Sequence, residues 1–188
     1  MIVMNIEMDN FMSFNHFAMN LSYPKKIVNS SIENEFLTGF TNFRYKKVNI
    51  LMGANATGKT SFGKMLMNIF HFMDKKQYTR IAGLISDTAK EASFCIDFVA
   101  NMKYLFRVNT VIFPPEEGQK ITGDNIDVSV RSVEIQKKDS YESCLKRLLE
   151  TKQKKCDNYI EELEKVTGLS WAFAYPEDDE AIKLFSAP

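Results

Sequence analysis

Histidine is scarce in this chain. Only His16 and His71 occur among 188 residues, so no zinc cluster can be built at familiar spacing. His71 falls on a stretch that reads as a helix, and a packed or surface role is expected for it. Cysteine is nearly as scarce. Cys95, Cys144 and Cys156 form no C-x-x-C pair, and an odd, sparse set fits a reducing cytosol better than a disulfide framework. Net charge is missing too. The 24 basic residues balance 24 acidic ones, which leaves no whole-chain footprint for nucleic acid and only a local basic patch as a route to it. No apolar run approaches the roughly 20 residues that span a bilayer. The N-terminus carries Glu7 and Asp9 and lacks the basic region of a signal peptide. No internal repeat or low-complexity segment is visible. These absences point to a cytoplasmic globular chain with no membrane partner. Its length is enough to bury a core as one domain, or one domain with an appendage.

What is present is concentrated in eight residues. Gly53-Ala54-Asn55-Ala56-Thr57-Gly58-Lys59-Thr60 spells G-x-x-x-x-G-K-[ST], the phosphate-binding loop of nucleoside triphosphatases. At ordinary residue usage its four fixed positions recur by chance in about one chain per hundred of this length, so the flanks decide. Lys47-Val48-Asn49-Ile50-Leu51-Met52 reads as a short buried strand and residues 61–73 as a helix, the context the motif requires. A triphosphate needs its charges matched without crowding. Gly53 and Gly58 lack a Cβ and let the backbone approach closely. Successive N–H groups, through Asn55, Ala56 and Thr57, form an anion nest. The helix N-terminus adds its dipole. Lys59 is expected to reach the β- and γ-phosphates, Thr60 to ligate Mg²⁺, and Ser61 to offer a hydroxyl near the α-phosphate.

The rest of the chain is strand-rich before the loop and after it. Residues 1–8 and 17–21 read as strands, with a turn at Pro24-Lys25-Lys26. Residues 27–46 read as mixed strand and loop, and 77–90 as a short helix or loop. Residues 92–99 and 103–113 form an expected hairpin around Ala100-Asn101-Met102. Pro114-Pro115-Glu116-Glu117-Gly118 breaks the chain, and 126–135 alternates as a further strand. Residues 140–166 read as a helix or helical hairpin whose mixed charges favour a solvated face over a DNA contact. The tail is aromatic at 171–175 and acidic at 177–180. A doubly wound kinase places its loop after the first strand and then alternates. Here the loop follows the strand-rich residues 1–52, which favours a mixed α+β nucleotide-binding lobe. The expected lobe has a mostly antiparallel sheet, the strand–loop–helix unit and a C-terminal helical segment.

Asn10-Phe11-Met12-Ser13-Phe14 resembles the N-F-x-S-F element near the start of SMC-like and RecF-like ATPases. Those families continue into a strand ending in G-x-N-x-x-G-K-[ST]. Asn55 occupies the Asn position, and Ala56 stands where Gly is commoner. The resemblance covers about residues 1–70 and implies an AAA-family or ABC-type ATPase head of the SMC, RecF or OLD kind, linked to DNA repair or anti-phage defence. It implies residues 1–136 as the N-terminal lobe, and 137–188 as a helical segment and tail in the same or a continuing domain. It further implies ATP and Mg²⁺ as cofactors, and a nucleotide sandwiched in a homodimer or completed by a C-terminal half, with DNA as a possible ligand. Phe11 and Phe14 would lie on the nucleotide side.

The chain departs from that pattern in two places. There is no S-G-G or L-S-x-G signature, and no four-residue apolar run followed by Asp-Glu. Phe94-Cys95-Ile96-Asp97 comes nearest, making Asp97 a candidate Mg²⁺-site carboxylate, although a solvent-side place on an amphipathic strand is favoured. Glu117, with Glu116, follows a Pro-Pro break instead of a buried strand. Gln119 and Gln136 are candidate switch glutamines. Two other classes stay open. A self-contained P-loop kinase or GTPase would have to work without a Walker B strand, an N-K-x-D motif or an Arg-rich lid. A protein-interaction module with a vestigial loop would use 140–166 and 171–175 as its surface.

Overall fold

The computed structural model describes residues 1–24, 32–54, 58–152 and 154–169. The turn residues Lys25 and Lys26, the loop residues Asn55, Ala56 and Thr57, and the aromatic and acidic tail lie outside them. Five strands form one antiparallel sheet in the order β2-β1-β5-β6-β7. They are β1 (Ile2–Asp9), β2 (Phe17–Asn20), β5 (Ala92–Ala100), β6 (Tyr104–Ile112) and β7 (Ile126–Glu134). The expected hairpin is β5–β6. Its turn takes left-handed backbone at Asn101 and Met102, with φ of 51° and 53°, a conformation that suits the twist of the flanking strands.

Period-two alternation divides the sheet into two apolar faces. Phe94, Ile96 and Phe98 of β5 join Ile6, Met8, Val108 and Val130 on one face. Three helices cover it: α1 (Lys59–Lys75), α2 (Thr79–Ala82) and α4 (Tyr159–Glu164). α1 contributes Met65, Ile69, Phe72 and Met73, the inward stripe of a 3.6-residue period. Val99 and Leu105 point the other way. They pack with Leu37 and Phe43 of the hairpin β3 (Phe36–Leu37)–β4 (Phe40–Arg44), and with Tyr141, Cys144 and Leu148 of α3 (Tyr141–Glu150). A bulge between Val3 and Asn5 lets Met4 join this second face while Ile6 and Met8 keep the first. α3 starts at a reciprocal cap. Ser140 Oγ accepts from the Ser143 N–H at 3.3 Å, and Ser143 Oγ accepts from the Ser140 N–H at 2.9 Å. The 140–166 segment is thus two helices, and both lie against the sheet.

One expected element is different. Residues 47–52 form no strand. Ile50 is 77% exposed and Met52 86%. An apolar run becomes a strand where a neighbouring strand pairs with it and other layers cover its apolar faces. Among the described residues nothing does either for 47–52. The mixed α+β class with a mostly antiparallel sheet therefore holds, while of the expected strand–loop–helix unit the strand is not formed and the helix is, from Lys59 onward.

A buried carboxylate meets the outer edge of β7 at one backbone donor. Glu162 of α4 is 1% exposed and accepts from the backbone N–H of Val130 at 2.7 Å and of Cys156 at 2.8 Å. Lys165 completes the site at 2.7 Å. Burial pushes the Glu162 carboxyl upward, but Lys165 and the two backbone donors outweigh it and hold it below its ordinary 4.5. A depressed folded-state value stabilises the fold above the unfolded value, and that stability is lost as pH falls through the folded one. Glu162→Gln is therefore expected to lower stability near pH 7, with the difference from the parent shrinking as pH falls below 4.5. Urea unfolding at pH 7, 5 and 3.5 reads this. A deficit that stays constant across the series would refute it.

Candidate phosphate-binding site

Gly58 ends the loop and caps α1 with φ 88° and ψ 3°, a left-handed backbone that glycine adopts without strain. The first helical bond runs from the Phe62 N–H to the Gly58 carbonyl at 2.8 Å. Lys59 and Thr60 of the motif open the first turn, followed by Ser61. The 17-residue helix has no acidic residue in that turn, so nothing there offsets the positive end of its dipole. Lys59 Nζ bends back over the loop and donates to the Gly53 carbonyl at 2.7 Å and the Ala54 carbonyl at 2.6 Å. Both halves of the described loop are thus joined through the ammonium. Asn55, Ala56 and Thr57, the middle of the nest, lie outside the described residues. The donor set that is described suits a polyanion: first-turn amides, a lysine ammonium and the hydroxyls of Thr60 and Ser61.

The β1–β2 connection forms a wall beside this turn. A Cβ at Gly58 would lie 3.6 Å from Ser13 Oγ and 3.8 Å from Phe14 Cε1. Phe14 packs on Phe17 with ring centroids 5.0 Å apart, and Phe17 on Phe62 of α1 at 5.5 Å. Phe14 therefore borders the loop. Phe11 does not. It is fully buried and packs against Phe94 at 6.4 Å.

Asp97 is neither on the solvent side nor beside the loop. It is 0% exposed, on the sheet face opposite α1. Arg107 grips it with two bonds, Nε to Oδ1 at 2.6 Å and Nη2 to Oδ2 at 2.7 Å, and the Tyr141 hydroxyl donates to Oδ2 at 2.5 Å. Burial, the Asp97 charge and this bond push the Tyr141 phenol far above its ordinary value, and the bond to Asp97 likewise raises Arg107. Both donors keep their protons at any working pH, so both Asp97 oxygens stay occupied. Sequence alternation missed this because the covering partners come from β6 and α3.

The remaining candidates are scattered. Glu116 and Glu117 are exposed on the β6–β7 connection, and Gln119 Nε2 donates to Glu116 at 2.7 Å. Gln136 is exposed after β7, its N–H donating to Asp139 at 2.8 Å. Cys95 and Cys144 are buried, and burial first, then a nearby carboxylate, pushes each thiol up to about 12, so both stay protonated and unreactive. His71 is half-buried on α1. Among the described residues no group of three or more His, Cys, Asp or Glu is placed to hold a metal ion, and no helix is long and apolar enough to cross a membrane. Against known proteins, no family model matches the chain and no curated protein matches it.

Proposed function

We propose that the chain binds ATP with Mg²⁺ through residues 53–61. The observation that carries this reading is the motif octet, with its Gly58 in the left-handed cap and its Lys59 turned over the Gly53 and Ala54 carbonyls at the start of a 17-residue helix. Lys59 takes the β- and γ-phosphates and Thr60 holds Mg²⁺. Mg²⁺ held there would supply charge neutralisation on the triphosphate. The backbone amides of the nest, with Asn55, Ala56, Thr57 and Ser61, orient the anion.

Turnover needs more than this. Phosphoryl transfer depends on positioned water and charge stabilisation, and Asp97, the nearest Walker B candidate, is tied to Arg107 and Tyr141. The exposed apolar run 48–52 beside the loop fits a strand awaiting neighbours. The chain then works as the N-terminal lobe of an SMC-, RecF- or OLD-like ATPase in the cytoplasm. A second copy or a C-terminal half completes it, in DNA repair or anti-phage defence.

Calorimetric titration with ATP, with Mg²⁺ and then with chelator, tests the reading, alongside phosphate release on the same samples. Saturable binding that weakens on Mg²⁺ removal, with no turnover, is expected. Absence of binding at millimolar ATP refutes the binding claim. Robust turnover refutes the incomplete site.

A further inference from the structure

The β1–β2 connection that borders the phosphate loop is built around one side chain. Asn10 holds φ 58°, a left-handed conformation that Asn tolerates better than most residues. Its Nδ2 donates to the Asp87 carbonyl at 2.8 Å and the Glu91 carbonyl at 3.1 Å, with Lys90 at 3.4 Å. Its Oδ1 accepts from the Asp87 N–H at 2.9 Å. Further bonds run the same way. The Met12 N–H donates to the Leu84 carbonyl at 2.8 Å, and the Ser86 N–H to the Asn10 carbonyl at 3.1 Å. Ser86 Oγ donates to the Met12 carbonyl. Beyond Asn10, Phe11 and Phe14 close a tight turn on each other, the Phe14 N–H donating at 2.8 Å. That turn presents Ser13 and Phe14 to Gly58.

We infer that Asn10 is a positioning residue for the phosphate loop. Its side chain is engaged by backbone groups of residues 87, 90 and 91, so it acts through the turn. It fixes the 10–14 turn to the 84–91 segment, and the turn braces Gly58 and the first turn of α1 through Phe14, Phe17 and Phe62. The segment before β5 is thereby coupled to the site: movement of residues 84–91 is transmitted through Asn10 to the loop. The inference rests on the proposed nucleotide site for its purpose, but not for its mechanical content.

Asn10→Gly isolates the side chain, since glycine keeps the left-handed backbone. The first readout is amide hydrogen exchange of the ligand-free chain. Exchange at residues 62–66 is expected to accelerate about tenfold, the upper end of what one net hydrogen bond is worth, because only part of the loss at Asn10 reaches α1, while residues 73–76 at its far end stay unchanged. Equal acceleration along all of α1, or none at 62–66, would overturn the inference. Asn10→Asp is the second variant. Its carboxylate keeps the acceptor for Asp87 but faces the carbonyls of residues 87, 90 and 91 without a donor. It is expected to shift exchange at the same residues, and wild-type exchange there counts against Asn10. The second readout is ATP affinity. Asn10→Gly and Phe14→Ala should each weaken it, and the double variant should be no weaker than the poorer single one, because both break one path. Additive losses would overturn it. Should the parent chain bind no ATP, the proposed function falls, and the exchange experiment still decides the role of Asn10.

Discussion

Lys59→Ala is expected to weaken ATP binding about 10- to 100-fold while leaving the melting temperature unchanged or slightly higher. The first effect follows from losing charge-assisted bonds to phosphate oxygens, worth about 1.5–3 kcal/mol. The second follows from helix electrostatics. Lys59 opens α1, where a cation opposes the positive end of the dipole. A residue that stands against its own helix contributes elsewhere, and here that is the anion site. Its bonds to the Gly53 and Ala54 carbonyls are made at the surface and yield little net stability. Calorimetry beside thermal unfolding separates the two effects. Undiminished affinity in the variant would remove the loop from the binding site, and a large fall in melting temperature would make Lys59 structural.

Arg107→Leu is expected to be the most destabilising single change outside the apolar core. Asp97 is 0% exposed, and Arg107 shields it with its own side chain 18% exposed. Removing the guanidinium leaves a buried carboxylate with the Tyr141 hydroxyl as its remaining partner. Breaking a buried pair in this way costs about 3–5 kcal/mol, and in a chain of this size that lowers the melting temperature by roughly 6–20 °C. Replacing the whole set, with Asp97→Leu, Arg107→Leu and Tyr141→Phe together, should cost less than Arg107→Leu alone, because no charge is left unpaired. Asp97→Asn assigns the function. Measured well below its melting point, it should bind ATP with Mg²⁺ as the parent does. A selective loss of Mg²⁺-dependent affinity would return Asp97 to the metal site.

Local pattern carried most of the fold. Alternation along 92–113 and 126–135 marked β5, β6 and β7 to within a residue or two, because side-chain period is a property of the strand itself. α1 was legible from the motif, which needs a helix after its loop, and Met65, Ile69, Phe72 and Met73 prove to be the face it buries. Failures occurred where the answer lay in another part of the chain. The run 47–52 has strand composition, but burial is supplied by neighbours, and composition cannot count them. Asp97 alternates as a solvent-side residue until Arg107 and Tyr141 meet over it. At the candidate site the octet was readable, and so was its nearness to Phe14, through the resemblance. The hub at Asn10 was not. Its partners are backbone groups of residues 87, 90 and 91, and a backbone group leaves no mark on sequence.

The exposed run also has a colloidal consequence. Val48, Ile50, Leu51 and Met52 make a short, uncharged, proline-free window with high β-propensity, the composition that seeds cross-β stacking when left open. Lys46 and Lys47 stand immediately before it, anchored to the Asn20 carbonyl at 3.1 Å and the Glu33 carbonyl at 2.8 Å. They act as charged gatekeepers on one flank, while Gly53 and Ala54 guard the other with no charge at all. Self-association of the isolated chain should therefore start at this window, rise with ionic strength as the lysines are screened, and set how concentrated a solution of it can be kept.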